Sequence, residues 1–439
     1  MNRIVTTLTV ALLALPALAG AQDFSIRRMA MGGVILGGRQ GGENVNVAYR
    51  GMPKPAHAGA AVSLPLGILQ TLNDPPTFDP RDPEFNVFRI ANLIENPPWN
   101  LALTHSAAPS TDISLDISRN SLRMDLGDLR DAFPVGHVRA YGDINGPSLG
   151  FSIHRMFIAA APLVEFENDL HLNDALSGAL HDGDSVRADA HYELRDRGRA
   201  QAAAALHVGM AAPLLALGGT GTGGGGTLYG GVRAKLLRGL AYGEADNVGA
   251  FDTGDTLFGS QSLDLHYTGH YLDAMPGDGG MGLGLDAGAV WALGPLELGL
   301  ALDDIGTRIH WKVRETLAYR DSATGDLVQR TVQEGRAFTS SVPTTVVSNA
   351  AFHAGRWIVA GDVRHNPFAT TVHAGLERRT GPLALRAGSG LDAGRRMQLS
   401  GGVGVRMGPI GLDLAVATNN RNLENRRAVE LGAGLELRH

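Results

Sequence analysis

The chain contains no cysteine among its 439 residues. Disulfides, thiolate metal centres and cysteine nucleophiles are therefore excluded together. Positive charge is also in short supply. The 38 Lys and Arg stand against 44 Asp and Glu, for a formal charge of −6, so no nucleic-acid partner is expected. Aromatic residues are sparse, with 4 Trp and 8 Tyr. Beyond the first twenty residues no apolar run is long and unbroken enough for a membrane-spanning helix. The nearest, AQAAAALHVGMAAPLLALGG at 200–219, is interrupted by His207 and Pro213 and alternates like a strand.

Glycine, by contrast, is abundant. Its 59 copies show no Gly-X-Y period and sit largely inside alternating segments, which excludes collagen and argues against simple linker. The opening MNRIVTTLTVALLALPALAGAQD has a basic residue at Arg3, an apolar core to Leu15, and small residues before Gln22. This reads as a signal peptide, residues 1–21, of an exported protein.

Alternation with a period of two dominates the C-terminal half. In GLGLDAGAVWALGPLELGLALDDIG, residues 282–306, Leu283, Leu285, Ala287, Ala289 and Trp291 oppose Gly284, Asp286, Gly288 and Val290. After Gly294-Pro295 the pattern resumes, with Leu296, Leu298, Leu300 and Leu302 against Glu297, Gly299, Ala301 and Asp303. Successive side chains of a strand point to opposite faces, so one face is greasy and the other is glycine and acid. The same division recurs at 228–236, 371–379, 383–388, 397–407, 410–416 and 429–438. Tight Gly-Pro turns at 294, 381 and 408 alternate with longer polar stretches near 312–342, 364–370, 389–395 and 418–428. That asymmetry, with Trp291, Trp311 and Trp357 at strand ends, is expected of an outer-membrane barrel with short inner turns and long outer loops. The expected fold is all-β: an antiparallel transmembrane β-barrel of about 14 strands. The N-terminal half adds strands near 59–66, 99–106, 111–118, 148–155, 185–195 and 201–211. Short helical insertions are expected in PEFNVFRIANLIENPP, SLRMDLGDLRDAF and NDLHLNDALSGAL.

The polar face would carry Arg233, Lys235, Asp286, Glu297, Asp303, Glu377, Arg386, Arg406, Asp413, Glu430 and Glu436 into the lumen. Both signs are present, so cross-strand bracing is expected for most rather than single-sign ion selectivity.

No enzymatic, cofactor or metal site is expected. GPSLG, around Ser148, is followed by an alternating strand where a nucleophile elbow needs a helix. The glycine run at 218–227 lacks the Lys-Ser/Thr ending of a phosphate loop, and GMGLGLDAG lacks the helix of a dinucleotide site. His266 and His270 would stand roughly 13 Å apart on one strand face, too far for one ion. Asp252 and Asp255 in DTGD read as solvated loop acids.

Residues 27–38, RRMAMGGVILGG, resemble the FadL-type outer-membrane transport barrels and their relatives, PorV of a secretion system and the TraF-like conjugal-transfer barrels. Members open with an R-x-M-x-M-G-G element, matched by Arg27, Met29, Met31, Gly32 and Gly33. GGVRAKLLRGLAY at 230–242, the 282–306 stretch and residues 383–417 are similar to later strands of that superfamily. Where members carry Asn-Pro-Ala, this chain has NVNVAYRGMPKP. The resemblance implies a plug or hatch over residues 22–58 inside a barrel of residues 59–439. It implies an outer-membrane location in a diderm bacterium, contact with outer-membrane lipid and the barrel-assembly machinery, and passage of hydrophobic small molecules. The alternative it carries is a non-transporting component of a secretion or conjugation assembly.

Overall fold

A computed structural model describes residues 25–38, 42–53, 59–65, 100–102, 114–118, 121–125, 136–145, 149–153, 155–182, 184–217, 225–255, 263–274, 279–391, 397–419 and 428–438. One antiparallel sheet dominates it. Several strands are interrupted, and their pieces pair collinearly with the same neighbour, giving fourteen columns among the described residues. These are β1 (Gly59–Pro65 continued by Asn100–Ala102), β2 (His137–Asn145 and Leu149–Ile153), β3 (Met156–Leu172), β4 (His191–Leu217) and β5 (Gly226–Thr253). They continue with β6 (Leu263–Ala274 and Met281–Leu293), β7 (Leu296–Arg320), β8 (Leu327–Ser341 and Thr345–Ala354), β9 (Trp357–His365) and β10 (Thr370–Thr380). The last four are β11 (Leu383–Leu391), β12 (Met397–Met407), β13 (Ile410–Asn419) and β14 (Ala428–Arg438).

Antiparallel ladders join each column from β2 to β14 to the next. The first strand then pairs with the last, with Gly59 opposite Arg438, Pro65 opposite Gly432 and Asn100 opposite Glu430. A first strand bonded to the last turns the sheet back toward its start, although among the described residues no ladder joins β1 to β2. The N-terminal segment supports the same geometry, because it touches β4 and β5 on one side and β11 to β14 on the other. Tyr141 of β2 also stacks on Phe368, between β9 and β10, with ring centroids 5.4 Å apart.

The two faces sort as the alternation requires. Outward lie Leu206, Met210, Val232, Leu236, Leu283, Leu300, Val359, Leu376, Leu385, Val403 and Leu414, between 38 and 64% exposed. Inward lie Arg233, Lys235, Asp286, Glu377 and Arg386, all buried. A soluble sheet would bury the first set and expose the second. The tight connections at Gly294-Pro295, Gly355-Arg356, Gly381-Pro382 and Gly408-Pro409 all follow even-numbered strands, so they share one end. Each contains a glycine with φ between 57° and 61°, a backbone region that side chains with a Cβ avoid.

Four sequence readings are corrected. Residues 312–342 are not a loop but the outer parts of β7 and β8 around a turn at 321–326. Their polar character marks strand that has left the apolar belt. SLRMDLGDLRDAF begins with a strand, Ser121–Asp125, which pairs with Ser114–Ser118 and Ser185–Arg187 in a small separate sheet. Trp311 does not belong to an outer girdle; its odd number places it on the inner face, 3% exposed. In NDLHLNDALSGAL the helical part shrinks to Asp174–Ser177, capped by the Asn173 side chain and continued by a π-turn over Gly178–Asp182. Ser148 and the expected helix at 84–98 lie outside the described residues.

The wall is lopsided. β4, β5 and β7 run for 27, 28 and 25 residues, whereas β9 to β14 have 9 to 11. Since 9–11 residues suffice to cross a bilayer, the long strands rise far beyond the belt on one side.

In bilayer refolding experiments, Leu300→Arg, at mid-belt on β7, is expected to cost about 2–4 kcal/mol. Thr331→Arg, on the outer part of β8, is expected to cost about 0–1 kcal/mol. Equal costs measured by urea titration would refute the assignment of the belt.

Candidate functional site

The inner face of the sheet is lined by residues 25–38 and 42–53. Ser25 caps a single helical turn, Ile26–Met29, by accepting from the Arg28 backbone N–H at 3.4 Å. Neighbouring residues on one turn diverge, and the two arginines do so here. Arg27 reaches the wall, donating from Nε to Glu377 Oε2 at 2.7 Å and from Nη2 to Oε1 at 3.1 Å. Arg28 turns back on its own segment, donating to the Val34 and Gly33 carbonyls at 3.0 Å each. Met29 packs with Ile26, Ala30 and Ala415 of β13. Met31 is fully buried beside Val34, Leu36, Ala351 and Ala360.

Gly32 and Gly33 form the bend, with φ of 73° and 80°. A Cβ on Gly32 would stand 2.6 Å from the Ser389 backbone. The wall makes room in the same manner. Gly375 and Gly388 face the Met31 backbone so closely that a Cβ on either would collide with it. Inner-face glycines of the strands are thus the seat of the N-terminal segment, because only a residue without a side chain lets two backbones approach so near.

Further along, polar groups of the wall satisfy the segment's backbone. The Ile35 N–H donates to Asp362 Oδ2 at 2.6 Å, and the Gly38 N–H to Glu297 Oε2 at 2.7 Å. Arg364 Nη2 donates to the Gly33 carbonyl at 3.0 Å. Asn46 caps the 3-10 turn Val47–Gly51 through Ala48 N–H, while its Nδ2 donates to the Ala289 and Leu300 carbonyls at 3.1 and 3.2 Å. Asn349 Nδ2 donates to the buried Tyr49 hydroxyl at 2.5 Å. The Arg50 guanidinium lies 4.3 Å above the Phe157 ring.

The wall charges form two braced clusters. In one, Arg233 pairs with Asp286, Lys235 Nζ lies 2.9 Å from Asp286 and 2.8 Å from Asp304, and Asp303 stands 3.9 Å from Arg233. In the other, Glu377 gathers Arg27, Arg379 at 2.6 Å and Arg386 at 2.8 Å, while Arg386 reaches Asp413 at 2.6 Å. Glu297 serves the N-terminal segment through Gly38, with His353 Nε2 of the wall 3.6 Å away. Arg406 is half-buried at the short-turn end, and the side chains of Glu430 and Glu436 lie outside the described residues. Ile35, Asn46, Tyr49, Asn349, Asp362 and Arg364 escaped sequence reasoning. Asp362 was detectable as the acid on the inner phase of WIVAGDVRH. Asn46 and Tyr49 lie in a stretch with no periodicity to read.

On the loop side of the Lys235 cluster the inner face turns apolar. Leu237, Tyr242, Leu272, Ile309, Trp311, Val313 and Val342 converge there with Leu163, Ala203 and Ala205. Tyr242 packs against Trp311 and Phe338 with ring centroids 5.4 and 5.1 Å away. Its few polar groups are satisfied internally. Trp311 Nε1 donates to Ser340 Oγ at 2.8 Å, and Ser340 Oγ to Gln201 Oε1 at 2.5 Å.

Far beyond the belt, His191 and His266 share the Asp252 carboxylate, and His270 pairs with Glu315. His191 Nδ1 lies 2.7 Å from Asp252, which belongs to β5 rather than to a loop. His266 stands 3.3 Å from both Asp252 and Asp264, and His270 2.7 Å from Glu315.

Together these features define an antiparallel β-barrel protein whose polar inner face is braced by ion pairs around an N-terminal segment, with an apolar wall beyond it. A family model described as a family of unknown function (DUF5723) matches residues 128–379, and the chain belongs to that family. No curated protein matches it. Similar solved structures include the toluene transporter TodX of Pseudomonas putida, at 12% identity over 70% of this chain and 90% of that one, with a TM-score of 0.33. The toluene transporter TbuX of Ralstonia pickettii is 11% identical over 72% of this chain and 94% of its own, with a TM-score of 0.30.

Two outcomes are expected. Glu377→Ala leaves Arg27 and Arg386 buried without their shared carboxylate and should destabilise the fold by about 3–5 kcal/mol. Limited proteolysis should then cut within residues 25–53, and a resistant segment would refute the anchoring role. His191, half-exposed, has its pKa raised above 6.5, chiefly by its hydrogen bond with Asp252. A raised folded-state value means that its stabilising contribution is complete below about 6.5 and fades as pH rises through the folded-state pKa. An NMR titration should show the raised value in the native chain and an ordinary one in Asp252→Asn.

Proposed function

We propose that the chain is an outer-membrane β-barrel that admits hydrophobic small molecules. In this reading residues 1–21 act as the export leader, residues 22–58 as the hatch and residues 59–439 as the barrel, inserted by the barrel-assembly machinery. The observation that carries it is the apolar stretch of inner wall around Leu237, Tyr242, Ile309, Trp311 and Val313. A water-filled pore keeps its interior polar. Leucine, isoleucine and tryptophan on that face offer a solute the kind of lining that apolar ligand sites use. The outward leucine belt supports the membrane location, since water does not favour so large an exposed apolar surface.

A second reading, a component of a secretion or conjugation assembly that passes no solute, draws on one feature. The N-terminal segment is anchored at points spread through its described residues, from Arg27 through Ile35 and Gly38 to Asn46 and Tyr49.

Uptake of radiolabelled fatty acid by a strain lacking the protein separates the two. The first reading expects uptake to fall on deletion and to return with the native chain. It expects little recovery, about a tenth or less, with Trp311→Gln, in which one inward aromatic becomes polar. Uptake unaffected by deletion, with the barrel recovered in the outer membrane, would select the second.

A further inference from the structure

The outward face of β7 changes character along its length. Leu298, Leu300 and Leu302 are followed, after a bulge, by Arg308, His310 and Lys312, all exposed. The ladders fix what surrounds them. Arg308 stands opposite Leu283 and His310 opposite Met281 on β6, and Met281 in turn stands opposite Arg238 on β5. Arg238 is therefore about two strand spacings, roughly 10 Å, from His310. Arg308 and Lys312 are about 13 Å apart along β7. Between the strands carrying these groups lie Met281 and Leu283, 62 and 64% exposed.

Three observations set this patch apart. Among the described residues, no carboxylate pairs with Arg238, Arg308 or Lys312. Farther out, Arg314 is matched by Asp273 and Arg336 by Glu315, each at 2.7 Å. The patch is also one-sided, since the outward positions at the corresponding ends of β9 to β12 are His365, Thr370, Leu391 and Met397. Its height is the third. From Trp291, beside the short turn, to Leu283 is eight residues of β6, roughly 26 Å of strand. At a tilt near 40° that is about 20 Å across an apolar band about 25 Å tall. The cations thus stand where the belt meets the headgroups on the loop side.

We propose that Arg238, Arg308 and Lys312 hold the phosphates of an outer-leaflet lipid whose acyl chains lie along Met281 and Leu283. The inference rests on the membrane location proposed above. Exposed guanidinium groups take phosphate oxygens two at a time, and an ammonium adds a point charge. Unpaired cations next to exposed apolar side chains match a ligand that carries both chemistries, and a free anion would use only half of the patch.

The test is native mass spectrometry of the full chain in detergent. The probes are diphosphoryl lipid A, monophosphoryl lipid A, phosphatidylcholine and inorganic phosphate. The native protein is expected to retain diphosphoryl lipid A at least tenfold better than phosphatidylcholine, with the monophosphoryl form between. Arg238→Gln/Arg308→Gln/Lys312→Gln is expected to lose that preference at least tenfold while keeping the heat-modifiable gel migration of a closed barrel. Equal retention of all three lipids by the native chain, an unchanged preference in the folded variant, or full displacement of lipid A by inorganic phosphate would each overturn the proposal. The headgroup series needs only the native chain, so it decides the matter even should the triple variant misfold. A native chain that inserts in membranes and holds phosphatidylcholine without preference refutes this inference alone. One that stays in the soluble fraction refutes the membrane reading as well.

Discussion

Glu377 is the pivot of the inner face. A carboxylate buried on the wall of a barrel is tolerable only with its charge matched, and Glu377 is matched by Arg27 from the N-terminal segment, Arg386 from the adjacent strand and Arg379 beside it. Because one of the three cations comes from residue 27, the wall and the segment within it share one electrostatic balance. The Arg233, Lys235 and Asp286 cluster settles its charges mainly within the strands and their bulge at Asp304. The first cluster joins the two parts through an ion pair, and the second reaches the segment through Arg233 Nη2, which donates to the Asn44 carbonyl at 3.2 Å.

Glycine carries the complementary half of the arrangement. In the strands it weakens packing and costs conformational entropy, and such a number of glycines would be a liability in an empty cylinder. Here the inner-face glycines stand where the backbone of residues 26–51 comes closest. Side chains elsewhere on that face hold the segment by hydrogen bonds to its backbone. The wall therefore recognises the segment's main chain as well as the side chains of Arg27, Asn46 and Tyr49.

Much of the fold was legible because a strand in a barrel is read by phase. Which residues face inward followed from parity at Arg233, Asp286, Glu377 and Arg386, although the ladders shift register beside Asp286 and between Gly239 and Ala241. Parity also assigns Trp311 to the interior, although its place near a strand end suggested a girdle. The outer parts of β7 and β8 misled for a physical reason. Strand that has water on both faces loses the apolar half of its alternation and looks like loop. The partners of the N-terminal segment were hidden for another reason, because Ile35 and Gly38 bond through their backbones, which carry no residue-specific signal.

The seam between β1 and β14 joins residues separated by more than three hundred positions, and every other ladder of the sheet joins strands that are neighbours in the chain. Closing so long a loop is the slowest contact in the molecule to find. Ile26 and Met29 touch Gly432 of the last strand, so the N-terminal segment and the β1–β14 seam share one surface. Whatever loosens that seam therefore loosens the seat of the segment as well.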